Sequence, residues 1–240
     1  MIKYLLTLAA GMFLGVALVA VAVFYNPMVS SNNLSPLAVT DNEVVHLSYS
    51  VAAQDALLYT NDGESQIAPN PAKVLQLWEP TVLRTTATVN VLADSRGQPA
   101  GIGIKFSSHS IESSALNGKA LTNSVWHIYL PQRGSLFIEQ SENYWNYIHE
   151  IVVPAYRSSG NNWRGAWLSN ITDGPGALGT ATVAGGTGQF AGLDTVAVEA
   201  LSAKAYSVEL GPVAMTGELS IELPPVIAVP IENQQVSQDQ

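Results

Sequence analysis

Apolar residues recur at every second position along several separate stretches of this chain, and this pattern restricts its fold most. Over residues 213–223, Val, Met, Gly, Leu and Ile alternate with Ala, Thr, Glu and Ser, as in a strand with one buried face. The same alternation occurs at residues 45–49, 87–91, 102–106 and 126–130. Many short strands of this kind predict an all-β barrel or sandwich.

Turn signals separate these stretches, which supports the all-β prediction. The best helix candidate outside the N-terminus, residues 71–78, is only eight residues long. The clearest turn signals combine Gly with Asp, Asn, Ser, Arg or Pro: Asn61-Asp62-Gly63, Ser95-Arg96-Gly97, Gln132-Arg133-Gly134 and Asp173-Gly174-Pro175-Gly176.

The N-terminal residues predict a membrane segment. Residues 4–25 contain no charged side chain, and as a helix they would extend about 33 Å, enough to cross the hydrocarbon core. Lys3 is the only Lys or Arg before Lys73, so the positive-inside rule places the N-terminus in the cytoplasm and the remainder outside it. Ala20-Val21-Ala22 offers the alternative of a cleaved signal peptide, which would make the domain secreted.

The chain divides by composition into four parts. Residues 1–25 are the anchor or signal segment, and residues 26–41 form a polar, Pro-containing linker. Residues 42–224 hold the strand patterns and are predicted to form one barrel domain, while residues 225–240 have two prolines, a polar end and no periodicity, as in a flexible tail.

Charge and residue usage exclude several functions. The chain has 10 Lys+Arg and 19 Asp+Glu, for a net charge of −9, and no basic cluster that could neutralise nucleic-acid phosphates. It has no cysteine, which excludes disulfides, thiolate metal sites and a Cys nucleophile. Its 4 histidines are scattered without a close ligand pair. We therefore expect no metal site, no cofactor and no nucleic-acid partner.

A glycine-rich segment allows two interpretations. Gly186-Thr187-Gly188-Gln189-Phe190-Ala191 fits the dinucleotide-binding pattern G-x-G-x-x-A, which requires a helix after the glycines and further βαβ units. A helix over residues 189–204 remains open, but residues 195–200 alternate as a strand would. We favour a corner between two strands, with these structural turn residues: Gly185, Gly186, Gly188, Phe190 and Gly192.

The sequence TVAGGTGQFAGL over residues 182–193 resembles the G-G-[ST]-G-x-F-x-G-A-x-G segment of the allene oxide cyclase and dirigent superfamily, including small bacterial barrels of that type. Where those proteins often have Ala-x-Gly, this chain has Leu193-Asp194-Thr195. The closing sequence GPVAMTGELSIELP is similar to their last strand. The resemblance implies a single eight-stranded antiparallel barrel with an apolar pocket, here preceded by one transmembrane helix. Asp194 stands near where dirigent proteins have an Arg, and the cyclase's catalytic residues have no counterpart that we can place, so no activity is transferred.

Aromatic and acidic side chains concentrate over residues 126–150. Such residues suit a pocket that holds an apolar ring and handles a proton. Strands favour aromatics and an acidic surface carries exposed acids, so an ordinary structural role stays open. The predicted ligand-binding residues are Trp126, Tyr129, Tyr144 and Trp145, and the candidates for acid or base catalysis are Glu139, Glu142 and Tyr147.

Three hypotheses for the function follow. The first is a membrane-anchored barrel, outside the cytoplasm and periplasmic if the host is bacterial, that binds a small apolar ligand. The second is an isomerase or cyclase that uses the same pocket. The third is a structural or interaction protein with a filled interior. A homo-oligomer is open in each case.

Overall fold

A computed structural model describes residues 2–24, 35–39, 42–51, 56–60 and 85–223. The helix candidate at residues 71–78, the turn signal at Asn61, most of the linker and the C-terminal tail lie outside the described residues. Helix α1 (Ile2–Phe24) begins the chain, and a short 3-10 helix (Pro36–Val39) precedes the strands. The strands are β1 (Glu43–Ser50), β2 (Ala56–Thr60), β3 (Thr85–Ala93), β4 (Pro99–His109), β5 (Leu121–Leu130), β6 (Gly134–Asn143), β7 (Asn162–Asn170), β8 (Thr172–Gly174), β9 (Ala181–Gly185), β10 (Asp194–Ser207) and β11 (Gly211–Leu223).

Eight strands close into an antiparallel barrel in the order β1-β11-β10-β9-β6-β5-β4-β3. A bridge between Ser48 and Ala93 joins β3 to β1 and completes the ring. Strand β2 pairs with β3, β7 with β10 and β8 with β6, outside this ring. The predicted barrel, preceded by one apolar helix, is confirmed.

Helix α1 is long and apolar enough to cross a membrane. The segment Lys3–Val23 has 21 residues and a mean hydropathy of 2.5. None of it is buried against the rest of the protein, as expected of a helix whose apolar surface is covered by lipid or removed with a signal peptide.

One end of the barrel is filled by apolar side chains. Strand β1 begins and β11 ends at this end, because Glu43 pairs with Leu223. Burial of each large side chain here stabilises the fold by about 1.5–3 kcal/mol relative to exposure. The fully buried members are Leu47, Leu92, Trp126, Ile128, Leu136, Ile138, Leu219 and Ile221.

The glycine-rich segment forms the corner between β9 and β10. The backbone N–H of Gly185 donates to the carbonyl of Leu193 at 2.7 Å, and Ala184 pairs with Asp194 across the antiparallel hairpin. Gly188 has φ +65° and lies against the Arg133 carbonyl, where a Cβ has no room. The predicted corner is therefore confirmed, and a helix over residues 189–204 is wrong, because β10 is a strand.

Strands β3 and β4 turn most of their large apolar residues outward, with Leu92 as an exception that faces the core. Val89 is 52% exposed and pairs with Ile104, while Val91 pairs with Ile102 on the same outer face. The inner face carries polar side chains instead, among them Asn90 and Lys105. This reversal makes one end of the interior polar.

The reversal has a packing reason on β4. Gly103 faces inward beneath the indole of Trp126, and a Cβ there would lie 2.8 Å from the ring. The tryptophan therefore occupies the interior that a side chain on β4 would otherwise fill.

A short helical segment covers part of the other end of the barrel. It comprises α2 (Trp145–Tyr147), a π-helical turn (Ile148–Val152) and α3 (Val153–Arg157). The Trp167 indole on β7 donates to Glu150 at 2.7 Å and ties the segment to the sheet. A second apolar cluster lies beneath it: Ile151, Trp167, Ile171, Leu201, Ala203 and Met215.

Candidate functional site

A cavity of about 210 Å³ opens at the end of the barrel opposite the filled one. It lies between the inner faces of β3 and β4, the last residues of β1, and the first residues of β11. Its apolar wall consists of Val51, Leu201, Pro212 and Met215. The rest of the lining is polar or aromatic: Tyr49, Thr88, Asn90, Lys105, Ser107, Tyr144 and Tyr147.

Three buried charged groups meet beside this cavity. Lys105 Nζ lies 2.7 Å from Glu142 Oε1 and 2.9 Å from Glu199 Oε1. Lys105 is 7% exposed and both glutamates are 0% exposed. We call Lys105, Glu142 and Glu199 the ion cluster. Its members come from β4, β6 and β10, so the cluster connects three strands of the ring.

Glu199 accepts hydrogen bonds from donors on four strands. The Tyr49 hydroxyl, the Gln140 amide and the Trp126 indole donate to its carboxylate, the last at 3.0 Å. Lys105 supplies the charged donor. A carboxylate that accepts this many bonds is held in its ionised form.

Glu142 has a different set of neighbours. Its Oε1 accepts from Ser124 and from Gln140, the latter at 2.7 Å. Its Oε2 accepts from the Tyr144 hydroxyl at 2.6 Å. Tyr144 also lines the cavity, so this residue connects the cavity with the Glu142 carboxyl.

The two carboxyl groups differ in the direction of their pKa shifts. Burial raises the pKa of Glu142, and the neighbouring Glu199 adds to this effect, while Lys105 opposes it. Burial also acts to raise the pKa of Glu199, but Lys105 and the hydrogen bonds from Tyr49 and Trp126 outweigh it and lower that pKa. Glu142 is therefore the member of the ion cluster that takes up a proton more readily.

Lys105 and the two tyrosines keep their protons. Burial acts to lower the pKa of Lys105, but Glu142 and Glu199 together raise it well above its usual value. Burial, followed by the charge of the nearby glutamate, raises the pKa of Tyr49 and of Tyr144 well above theirs. A charged ammonium is not a nucleophile, so Lys105 is unsuited to forming a Schiff base.

A glycine on β11 positions Tyr49. The phenol ring lies against Gly217, its partner across the sheet, where a Cβ would overlap the ring. The ring also meets Trp126 edge-to-face, with centroids 5.0 Å apart. Only glycine at this position lets the Tyr49 hydroxyl reach Glu199.

The predicted ligand-binding residues lie in three environments. Tyr144 lines the cavity, and Trp126 packs beneath the ion cluster without reaching the cavity wall. Trp145 stacks on His149 in a separate surface groove beside Tyr144. Tyr129 is 53% exposed on the outer face of β5.

The three predicted acid or base candidates also separate. Glu142 belongs to the ion cluster and Tyr147 lines the cavity. Glu139 is on the outer face of β6, where it borders a surface hollow with Phe106 and Val125. Tyr147, Glu142 and Tyr144 thus lie on one side of the cavity, while Glu139 lies on the opposite face of its strand.

Sequence reasoning missed Lys105, Glu199 and Tyr49. A signal for Glu199 was present, because it is in phase with Ala197, Leu201 and Ala203 on the buried face of β10. A charged residue in phase with a buried apolar series is costly unless it is paired. Lys105 gave no such signal, because its strand turns the polar series inward.

The site suits hydrogen bonding and proton exchange better than metal binding. An ammonium separates the two carboxylates, and the described ranges contain no group of three or more metal-ligating side chains that could hold an ion. The Tyr144 hydroxyl and the Glu142 carboxyl form a short path for a proton between the cavity and the ion cluster.

Comparison with models of protein families and with curated proteins finds no match to this chain.

Proposed function

We propose that this protein is a membrane-anchored barrel, located outside the cytoplasm, that binds one small and largely apolar ligand in the cavity beside Lys105. The observation that carries the proposal is the ion cluster bordering an open cavity. Three buried charges cost desolvation energy that an apolar filling would avoid, and the filled end of the barrel has such an apolar filling. Costly buried charges beside a cavity are typical of functional sites.

The anchor and the orientation rest on helix α1. Its length and hydropathy suit a membrane span, and Lys3 at its start favours a cytoplasmic N-terminus. The barrel would then lie outside the cytoplasm. Membership of the allene oxide cyclase and dirigent superfamily remains part of the proposal, supported by the glycine corner between two strands of an eight-stranded barrel.

Native mass spectrometry of the full chain, purified gently from its own host and released from detergent micelles, tests ligand binding. We expect an extra mass that leaves on denaturation. Thr88→Phe places a ring on the cavity wall and should lose this mass, whereas Val89→Phe on the outer face of the same strand should keep it. A wild-type protein that stays bare after incubation with host lipid extract would contradict the binding function.

Single cysteines test the orientation, because the natural chain has none. Ser95→Cys is on an exposed turn and should react with a membrane-impermeant maleimide in intact cells or spheroplasts. Ser169→Cys, at a position that is 2% exposed, should react only after unfolding. Labelling of Ser95→Cys that requires membrane permeabilisation would place the barrel in the cytoplasm.

One observation favours an isomerase or cyclase as a second candidate. Glu142 has a raised pKa and hydrogen-bonds to Tyr144, which lines the cavity, as suits a group that exchanges a proton with a bound molecule. With the ligand identified by mass, Glu142→Gln should abolish its conversion and leave its binding intact if this candidate is correct. Unchanged ligand on prolonged incubation with the wild type favours the binding protein.

A further inference from the structure

The charged donor on the cavity wall has one N–H to spare. An ammonium carries three N–H donors, and the acceptors of Lys105 among the described residues are Glu142 and Glu199. The indole face of Trp126, 5.3 Å from Nζ, stabilises the charge without accepting a conventional hydrogen bond. Lys105 lines the cavity, so the third N–H is available to a bound molecule.

The two tyrosines beside Lys105 do not offer donors of their own. The Tyr49 hydroxyl donates to Glu199 and the Tyr144 hydroxyl donates to Glu142. Their hydrogens point away from a ligand as long as the glutamates are ionised. Lys105 is then the charged donor of the cavity lining, and the neutral donors are the Asn90 amide and the hydroxyls of Thr88, Ser107 and Tyr147.

The charge of the ion cluster selects against charged ligands. It contains two carboxyl groups and one ammonium, so its formal charge is −1 or, with Glu142 protonated, zero. A carboxylate ligand on Lys105 would be a third acid around one ammonium in a buried site. An ammonium ligand would instead approach the Lys105 charge. A neutral oxygen acceptor meets the third N–H without adding a charge.

The size and walls of the cavity restrict the rest of the ligand. Its volume is about 210 Å³, and a cavity of about 150 Å³ is sufficient for benzene. The wall formed by Val51, Leu201, Pro212 and Met215 suits an apolar ring. One substituted ring fills such a space.

We infer that the cavity binds a neutral ring compound through a carbonyl oxygen, which accepts the third N–H of Lys105. This inference rests on the proposed ligand-binding function and specifies the chemical class of the ligand. The carbonyl oxygen would lie at the ion cluster and the ring against the apolar wall.

Four matched probes test the inference on the full chain in detergent micelles, by ¹⁹F NMR titration. They are 4-fluoroacetophenone, its isostere 4-fluoro-α-methylstyrene, 4-fluorobenzoate and 4-fluorobenzylamine. Thr88→Phe fills the cavity, so any signal change that remains in this variant measures the partition of the probe into micelles. Val89→Phe, on the outer face of the same strand, is the matched control and should bind the probes as the wild type does. We expect the ketone to bind at least about tenfold more tightly than the alkene, because a hydrogen bond from a charged donor is lost.

The outcomes distinguish the carbonyl inference from the proposed ligand-binding function on which it rests. Equal binding of ketone and alkene, or tighter binding of the benzoate or the benzylamine, overturns the carbonyl inference and leaves ligand binding intact. Binding of no probe above the Thr88→Phe background overturns both.

A double variant that lacks the Lys105 ammonium tests whether this group causes the preference for the ketone. Lys105→Met combined with Glu142→Gln removes the ammonium without leaving two unpaired carboxylates, and should bind ketone and alkene equally. A preference for the ketone in this variant overturns the role of Lys105. If the double variant does not fold, the ketone and alkene comparison in the wild type decides.

Discussion

Glu142 and Glu199 lie within hydrogen-bond distance of the same atom, Lys105 Nζ, yet their pKa values shift in opposite directions. The difference follows from their other partners. Glu199 accepts from an indole and a phenol as well as from Lys105, whereas for Glu142 burial outweighs the donors around it. The Lys105 ammonium thus pairs with two carboxyl groups, of which Glu142 takes up a proton readily and Glu199 keeps its charge.

Amide substitutions should separate the two glutamates in stability. Glu199→Gln places an amide where indole, phenol and ammonium donors converge, so we expect the free energy of unfolding to fall by about 3–5 kcal/mol. Glu142→Gln mimics the protonated carboxyl and should change it by less than about 1 kcal/mol. Chemical unfolding of the full chain in detergent, followed by tryptophan fluorescence, measures both.

Glu139→Gln is the matched control, because Glu139 is on the exposed face of the strand that carries Glu142. It should change stability by less than about 0.5 kcal/mol. Equal losses in Glu142→Gln and Glu199→Gln would contradict the asymmetry of the ion cluster.

The dependence of stability on pH should also distinguish the glutamates. The folded-state pKa of Glu142 is raised above 4.5, so the folded protein binds more protons than the unfolded chain above that pH. Stability from this group is present below pH 4.5 and is lost as the pH rises through the raised value. The unfolding temperature of the wild type should fall relative to Glu142→Gln across this interval.

The stability that Glu199 contributes should depend on pH in the opposite direction. Its folded-state pKa is lowered from 4.5, so its contribution is present above that pH and is lost as the pH falls through the lowered value. Relative to Glu199→Gln, the wild type should lose stability on acidification below 4.5. Lys105, Tyr49 and Tyr144 have pKa values raised well above their usual ones and do not titrate in either interval. Parallel profiles for the wild type and both variants would contradict these shifts.

Gly217→Ala tests the positioning of Tyr49. The added methyl overlaps the phenol ring, so we expect a loss of about 1–3 kcal/mol from overpacking and displacement of the hydroxyl from Glu199. Thr216→Ala, on the exposed face of the same strand, should be nearly neutral.

A double-mutant cycle with Tyr49→Phe makes this test specific. Tyr49→Phe should cost less in the Gly217→Ala background than in the wild type, because the hydrogen bond to Glu199 is already lost there. Full additivity would show that the methyl leaves the tyrosine in place.

Two glycines of the β9–β10 corner should differ in their tolerance of alanine. Gly188 and Gly192 have φ of +65° and +75°, a conformation that costs a residue with a Cβ about 1 kcal/mol. A Cβ at Gly188 also meets the Arg133 carbonyl, while nothing lies within 4 Å of one at Gly192. Gly188→Ala should therefore lose about 1–3 kcal/mol more than Gly192→Ala in urea unfolding. Equal losses would mean that the corner does not pack on the neighbouring hairpin.

Residue order alone was sufficient to predict the N-terminal apolar helix, the strands with a clear alternation and the glycine corner, but not β2, β6, β7 or β8. Ile2–Phe24 is apolar over a length that suits a membrane, and the alternation from Gly211 to Leu223 sets the period of its strand, because helix and strand periods are local properties of the backbone. Glu142 and Tyr144 were identified for a similar reason: acids and aromatics cluster near them in the sequence.

Only the tertiary structure decided which face of each strand is inside and which distant groups meet. Alternation places Val89 and Asn90 on opposite faces of β3, but the period of two does not decide which of these faces is turned to the interior. Closure of the barrel around Trp126 turned the polar faces of β3 and β4 inward and brought Lys105 to carboxylates from β6 and β10. That meeting depends on strands paired across the ring, and no local pattern in the sequence records it.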